Sequence, residues 1–147
     1  MTAPDRIGPY RKSTDPKLVA DAKTRLDAFT RSTDGVKQAI VAYYDHTQQP
    51  GTIAVIVAAA INIDDPAKEL DSAFLSNLGV KNIRAVDTGP LGGVAECGSQ
   101  VFNGGIAGSF CGWADHGSIG VVGFIGLDPG SAAADLLTFR AAVVTRG

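Results

Sequence analysis

Cys97-Gly98-Ser99-Gln100-Val101-Phe102-Asn103-Gly104-Gly105-Ile106-Ala107-Gly108-Ser109-Phe110-Cys111 is the stretch from which the fold of this chain is best read. Asn103-Gly104-Gly105 separates two alternating runs, and Asn and Gly tolerate the positive φ that tight hairpins require. A turn centred on Gly104 places Val101 opposite Ala107, Ser99 opposite Ser109 and Cys97 opposite Cys111. Facing residues at a non-hydrogen-bonded antiparallel position have Cα atoms about 4.5 Å apart, near the lower edge of what a disulfide spans. The spacing therefore predicts a Cys97–Cys111 bridge, which on the chain-entropy model restricts the unfolded state by about 3 kcal/mol. Structural disulfides persist outside the reducing cytosol, so the expected location is extracytoplasmic, either secreted or anchored to the outer face of the cell membrane. The alternative is a pair of free, buried thiols in a cytosolic protein. Two facing thiols in a chain with only two histidines make a poor zinc set, and no C-x-x-C redox motif is present.

Alternation continues past the second cysteine and puts Cys111, Trp113 and Asp115 on one face, with the indole beside the bridge. Trp113 then has two readings: a ring that covers the disulfide and fills core, or an aromatic platform at a ligand groove with Asp115 and His116 at its rim. Between Gly89 and Gly130 lie 13 of the 18 glycines. No two of them are separated by a single residue and no G-K-S or G-K-T follows, so the phosphate-cradling motifs are absent. Nor does any lysine or arginine occur between Arg84 and Arg140. Glycine here is expected to serve turns, bulges and close sheet packing.

The rest of the chain supplies strands and three helices. Asp15-Pro16, Asp65-Pro66 and Asp128-Pro129 each set a capping carboxylate before a proline whose fixed φ suits a first helical turn. Leu18, Ala22, Leu26 and Phe29 share a face after Pro16. Leu70, Phe74 and Leu78 do so after Pro66, with Gly79 as the stop. Leu136, Leu137, Phe139, Ala141, Val143 and Val144 form a broader stripe after Pro129. Strands are expected over residues 36–44 and 52–63, joined by Gln48-Gln49-Pro50-Gly51 as a hairpin, and over 83–86, 93–102, 106–114 and 118–127, with a short one around 7–12. Runs of hairpins predict an α+β fold: a mainly antiparallel sheet with about three helices packed on it. The boundaries are a flexible N-terminal tail over residues 1–6 and a single domain over residues 7–147.

At 147 residues and 45% hydrophobic, the chain is large enough to bury a core. Its net charge of −2 offers no large basic field for nucleic acid or anionic lipid. The longest apolar run, Thr52 to Ile63, falls short of the roughly 20 residues of a spanning helix. Met1-Thr2-Ala3-Pro4-Asp5 has neither the basic start nor the apolar core of a signal peptide, so an exported protein is expected to carry its anchor upstream.

Gly92-Gly93-Val94-Ala95-Glu96-Cys97-Gly98, followed by Cys111-Gly112-Trp113-Ala114-Asp115, resembles a pattern in uncharacterised actinobacterial secreted or membrane-anchored domains. There the C-terminal half carries Gly-Gly, Cys-Gly and Cys-x-Trp-Ala-Asp before a final helix rich in Ala and Leu. The resemblance spans Pro90 to about Arg146 and implies an extracytoplasmic domain behind a transmembrane helix or lipid anchor. It implies no activity. Cys97, Gly98, Cys111, Trp113, Ala114 and Asp115 match the pattern, whereas His116 does not clearly belong to it.

Both histidines follow aspartate, in Asp45-His46 and Asp115-His116, each where a strand is expected to end. An acid/base dyad, or a nucleophile–base–carboxylate set with Ser118, is the catalytic reading. Adjacent residues on a strand point to opposite faces, so a site needs the two pairs to meet in space. Nothing in the spacing demands a metal at these residues, and neither metal nor cofactor is expected. Glu96, one of two glutamates, is expected to face solvent, and of Tyr43 and Tyr44 one is expected in the core. The leading expectation is a non-catalytic extracytoplasmic module that binds a small ligand or a protein partner, touching the membrane only through its missing anchor. The alternatives are a small hydrolase built on Asp115/His116 or Asp45/His46 with a nearby Ser, and a structural spacer domain.

Overall fold

In a computed structural model of the chain, residues 1–71, 79–102 and 105–144 are described. Eight strands form one fully antiparallel sheet: β1 (Arg6–Ile7), β2 (Tyr10–Lys12), β3 (Gln38–His46), β4 (Ile53–Ala60), β5 (Lys81–Ala85), β6 (Val94–Phe102), β7 (Ile106–Ala114) and β8 (Ser118–Ile125). Their order is β1-β2-β3-β4-β8-β7-β6-β5. Among the described residues three α-helices complete the α+β architecture: α1 (Pro16–Ser32), α2 (Pro66–Leu70) and α3 (Pro129–Val143).

All three Asp-Pro starts are used. Asp15 accepts a hydrogen bond from the Lys17 N–H, Asp65 from that of Lys68 and Asp128 from that of Ser131. Each carboxylate thereby satisfies a backbone donor that the first helical turn leaves unpaired. Phe74 and Leu78, expected to extend the second helix, lie outside the described residues. The strand expected over residues 7–12 is two short strands folded back at Gly8, where φ is +54°. Residues 1–6, expected as a tail, lie against the body. The Thr2 N–H donates to the Val143 carbonyl, the Tyr44 hydroxyl donates to the Pro4 carbonyl, and Arg6 is in β1.

The β6–β7 hairpin has the reflected register, with Val101 opposite Ala107, Ser99 opposite Ser109 and Cys97 opposite Cys111. Gly105 sits at φ +76°, while Asn103 and Gly104 lie outside the described residues. Cys97 and Cys111 are bonded, with Cα atoms 4.1 Å apart.

Strand order is the part that local pattern does not give. The chain leaves β4, forms α2 and runs to the far edge as β5, then returns strand by strand so that β8 pairs with β4. The sheet is covered on both faces. On one, α3 presses Ala132, Leu136, Phe139 and Val143 against Tyr44, Ile56, Cys97, Cys111, Trp113 and Phe124. Tyr10 and Phe139 meet edge-on there, as do Tyr44 and Phe139. On the other face α1 covers β3, and Leu70 of α2 packs with Ala114 and Ile119. Tyr44 is fully buried and Tyr43 is half-buried, its hydroxyl bonded to Asp21.

Glu96 corrects the sequence reading. It is half-buried on the face that α2 crosses, and its Oε2 has no hydrogen-bond partner among the described residues. Burial, and then the nearby charge of Asp71, push its carboxyl above the ordinary value.

Candidate functional site

The β7–β8 turn is Asp115-His116-Gly117, and Asp115 builds it. Its Oδ1 accepts from the Gly117 and Ser118 N–H groups at 2.8 and 2.7 Å, while its own N–H donates to the Ser118 carbonyl at 2.9 Å. Aspartate favours such turns because its short side chain reaches backbone donors two and three residues on. Its Oδ2 accepts from the Ser118 hydroxyl at 3.1 Å and from Arg140 Nη2 at 2.9 Å. Ser118 Oγ in turn accepts from the Trp113 indole N–H at 3.1 Å.

Arg140 comes from α3 and is 1% exposed. Besides Asp115, its guanidinium donates to the carbonyls of Thr88 and Leu91, at 3.1 and 3.4 Å, and lies 5.9 Å from the centroid of the Trp113 ring. It thereby fixes the short 3-10 turn Gly89–Leu91 onto the end of the sheet. Gly92 and Gly93 follow at positive φ, and a Cβ on Gly93 would meet the Ala114 carbonyl oxygen at 2.3 Å. Burial alone raises the Asp115 carboxyl. The Gly117 N–H, Arg140 and Ser118 outweigh it and hold the group below its ordinary value.

Above this network opens a cleft of about 620 Å³, lined among others by Gln38, Ala60, Leu91, Asp115, His116 and Val144. His116 is exposed, and its Nδ1 is 2.8 Å from the Ile63 carbonyl oxygen. A carbonyl only accepts, so the ring donates from Nδ1 and keeps its Nε2 lone pair when neutral.

No protein-family model, no curated protein and no solved structure matches this chain.

Of the sequence-predicted site residues, Asp115 and His116 line the cleft together, whereas Trp113 does not reach it. The indole is fully buried in the core beside the disulfide and is absent from the cleft lining. The two Asp-His pairs do not meet. His46 is eight residues along β3 from Gln38 at the cleft, roughly 27 Å at about 3.4 Å per residue. Its Nδ1 accepts from the Gln48 and Gln49 N–H groups and its ring stands edge-on to Tyr10. At the other end, His116 turns to Ile63, while the Ser118 hydroxyl is engaged by Asp115 and Trp113. Among the described residues no group of three or more His, Cys, Asp or Glu could hold a metal ion. Nor is any described helix long and apolar enough to cross a membrane.

Sequence reading missed Arg140, although a signal for it exists. Arg140 lies four residues after Leu136 and three before Val143, inside the apolar stripe of its helix. A cation at a core position needs a buried anion, and Asp115 is the only aspartate between Thr88 and Leu127.

Proposed function

We propose that this chain is a non-catalytic, extracytoplasmic binding domain, secreted or tethered to a membrane, that takes a small ligand or a protein segment in the cleft beside His116. The observation that carries this reading is how the polar groups beneath the cleft are used. Asp115, Ser118, Trp113 and Arg140 hydrogen-bond one another, so they stiffen the cleft floor instead of offering a nucleophile and a base. A hydrolase needs an imidazole within reach of the hydroxyl it activates, and here the imidazole is turned to a backbone carbonyl. A spacer has no use for a cleft of this size. The buried Cys97–Cys111 bridge supports an oxidising compartment. It also joins the two cysteines of the stretch that resembles the actinobacterial secreted or membrane-anchored domains.

Amide chemical-shift mapping during titration with a fragment set, paired with a p-nitrophenyl ester assay, tests the reading. Shifts confined to Gln38, Gly93 and residues 115–118, without ester turnover, are the expected result. Ester turnover that Ser118→Ala abolishes, or ligand shifts that bypass the cleft, would overturn it.

A further inference from the structure

The overall charge of −2 hides an uneven distribution. Residues 1–37 carry eight basic and five acidic side chains, a balance of +3, while residues 38–147 carry five basic and ten acidic ones, a balance of −5. The fold gathers the basic part at one corner, because β1 and β2 form one edge of the sheet and α1 lies on the neighbouring β3.

Two arginines define this corner. Arg6 of β1 stands directly opposite Arg11 of β2, and Arg11 directly opposite Asp45 of β3. Opposed residues in antiparallel strands share a face, and Asp45 alternates with Tyr43 and Val41, which lie beneath α1. Both arginines therefore emerge on the α1 side of the sheet, and both are exposed. Like charges facing each other across strands destabilise the pair. A single charge is enough to protect an edge from unwanted pairing. Among the described residues no carboxylate lies within ion-pair distance of Arg6, Arg11, Lys17 or Lys23.

Next to the arginines, α1 and the sheet enclose a groove of about 250 Å³ lined by Leu18, Val19, Leu26 and Val41 together with Lys12 and Lys23. Val19 is 54% exposed, one of the few large apolar side chains left in solvent. Lys12 lies 3.9 Å from Asp5, so Lys23 and the two arginines supply the cationic rim, and an apolar floor beside such a rim suits an occupant that is amphiphilic and negatively charged.

We infer that the α1 face and its β1–β2 edge form a docking surface for an anionic lipid membrane. Arg6, Arg11, Lys17 and Lys23 meet the phosphate headgroups, and Val19 enters the acyl boundary. Anionic headgroups supply the counter-charge that Arg6 does not find among the described residues, and the apolar groove favours a bilayer over nucleic acid, which has no acyl layer for Val19. The membrane-tethered reading supplies the setting, but this surface is separate from the cleft. It adds to an anchor a contact made by the folded domain itself.

Flotation of the intact protein with phosphatidylglycerol-containing vesicles, against phosphatidylcholine vesicles, tests the inference at low and high salt. Binding is expected only to the anionic vesicles, weakening with salt. Each cation removed near such a surface weakens binding by about fivefold, so Arg6→Gln/Arg11→Gln is expected to lower the partition by about twenty-fivefold. Val19→Ser is expected to weaken what binding persists as salt rises. Lys81→Gln/Arg84→Gln, at the opposite sheet edge, and His116→Ala, in the cleft, are expected to change nothing, which separates this surface from the cleft reading. The inference is overturned if the wild type does not float, or if the opposite-edge variant loses as much as the arginine variant. Full competition by soluble glycerol phosphate would also overturn it, making this a free-phosphate site. So would low-salt self-association, seen by sedimentation velocity, that Arg6→Gln/Arg11→Gln abolishes, since the partner is then a second copy of the chain.

Discussion

Arg140 Nη2 and Asp115 Oδ2 meet 2.9 Å apart beneath the cleft, the guanidinium 1% exposed and the carboxylate side chain 15%. A pair this deeply buried adds little over a well-packed apolar replacement, but breaking it from one side strands a charge. Arg140 also holds the Thr88 and Leu91 carbonyls, so the pair couples the last helix, the β7–β8 turn and the 3-10 turn that walls the cleft.

Asp115→Asn is therefore expected to cost about 3 kcal/mol in urea unfolding at neutral pH, and Arg140→Met a similar amount. The double variant is expected to cost clearly less than the two together, because no unpaired charge remains. The pH profile carries the sign. A carboxyl held below its ordinary value gives stability that is full above that value and is lost as pH falls through the folded one. The gap between wild type and Asp115→Asn is thus expected to hold at neutral pH and to close progressively below about pH 3.8, the ordinary carboxyl value. A gap that widens in acid would contradict the assignment.

Glu96 is expected to behave in the opposite sense. Its carboxyl is raised first by burial and then by Asp71, and one oxygen has no hydrogen-bond partner among the described residues. A raised carboxyl costs stability as pH climbs from its unfolded value through the folded one. Glu96→Gln is expected to be more stable than wild type by about 1 kcal/mol at pH 7, with the advantage vanishing near pH 4. Thermal melts across that range read the difference directly.

These two carboxylates mark where sequence reading succeeds and where it stops. Period-two alternation placed Asp115 with Cys111 and Trp113, and reflection about Gly104 gave the register of the hairpin, because both depend on chain-local geometry. The three Asp-Pro caps were legible for the same reason. What covers each face is not local. Glu96 is expected in solvent, but the helix crossing its face comes from a β4-to-β5 excursion that no neighbouring residue encodes. Arg140 is invisible to a helix stripe defined by apolar residues alone, because it is a cation inside that stripe. One wall of the cleft depends on the 3-10 turn, the β7–β8 turn and α3, three distant parts of the sequence joined by that one side chain.

Trp113 is the only tryptophan of the chain, which makes its packing measurable. A Cβ on Gly120, opposite it on β8, would lie 2.1 Å from the indole Cη2. Gly120 therefore leaves the hollow that the ring fills. Gly120→Ala is expected to force the ring aside, costing about 1–3 kcal/mol and changing both near-UV circular dichroism and tryptophan emission. Gly117→Ala, in the same turn region but with only Asp115 Oδ1 nearby at 3.7 Å, is expected to leave the indole signal intact. Equal spectral change in both variants would mean that the ring is not seated against Gly120.

The Cys97–Cys111 bridge closes a sequence separation of 14 residues inside the core under α3, so it constrains both the unfolded chain and the strand pair that presents Trp113. Cys97→Ala/Cys111→Ala is expected to lose about 3 kcal/mol by chain entropy alone, with further loss from the space the sulfurs vacate. Reduction of the wild type under mild denaturant is expected to lower the unfolding midpoint by a similar free energy, and reoxidation to restore it. Because Cys97 is 3% exposed and Cys111 is fully buried, reductant acting on the native protein has to wait for opening of the β6–β7 pair. The reduction rate is accordingly expected to rise with denaturant in step with the exchange of the β7 amides. A reduction rate independent of denaturant would mean that the sulfurs are reached without opening the sheet.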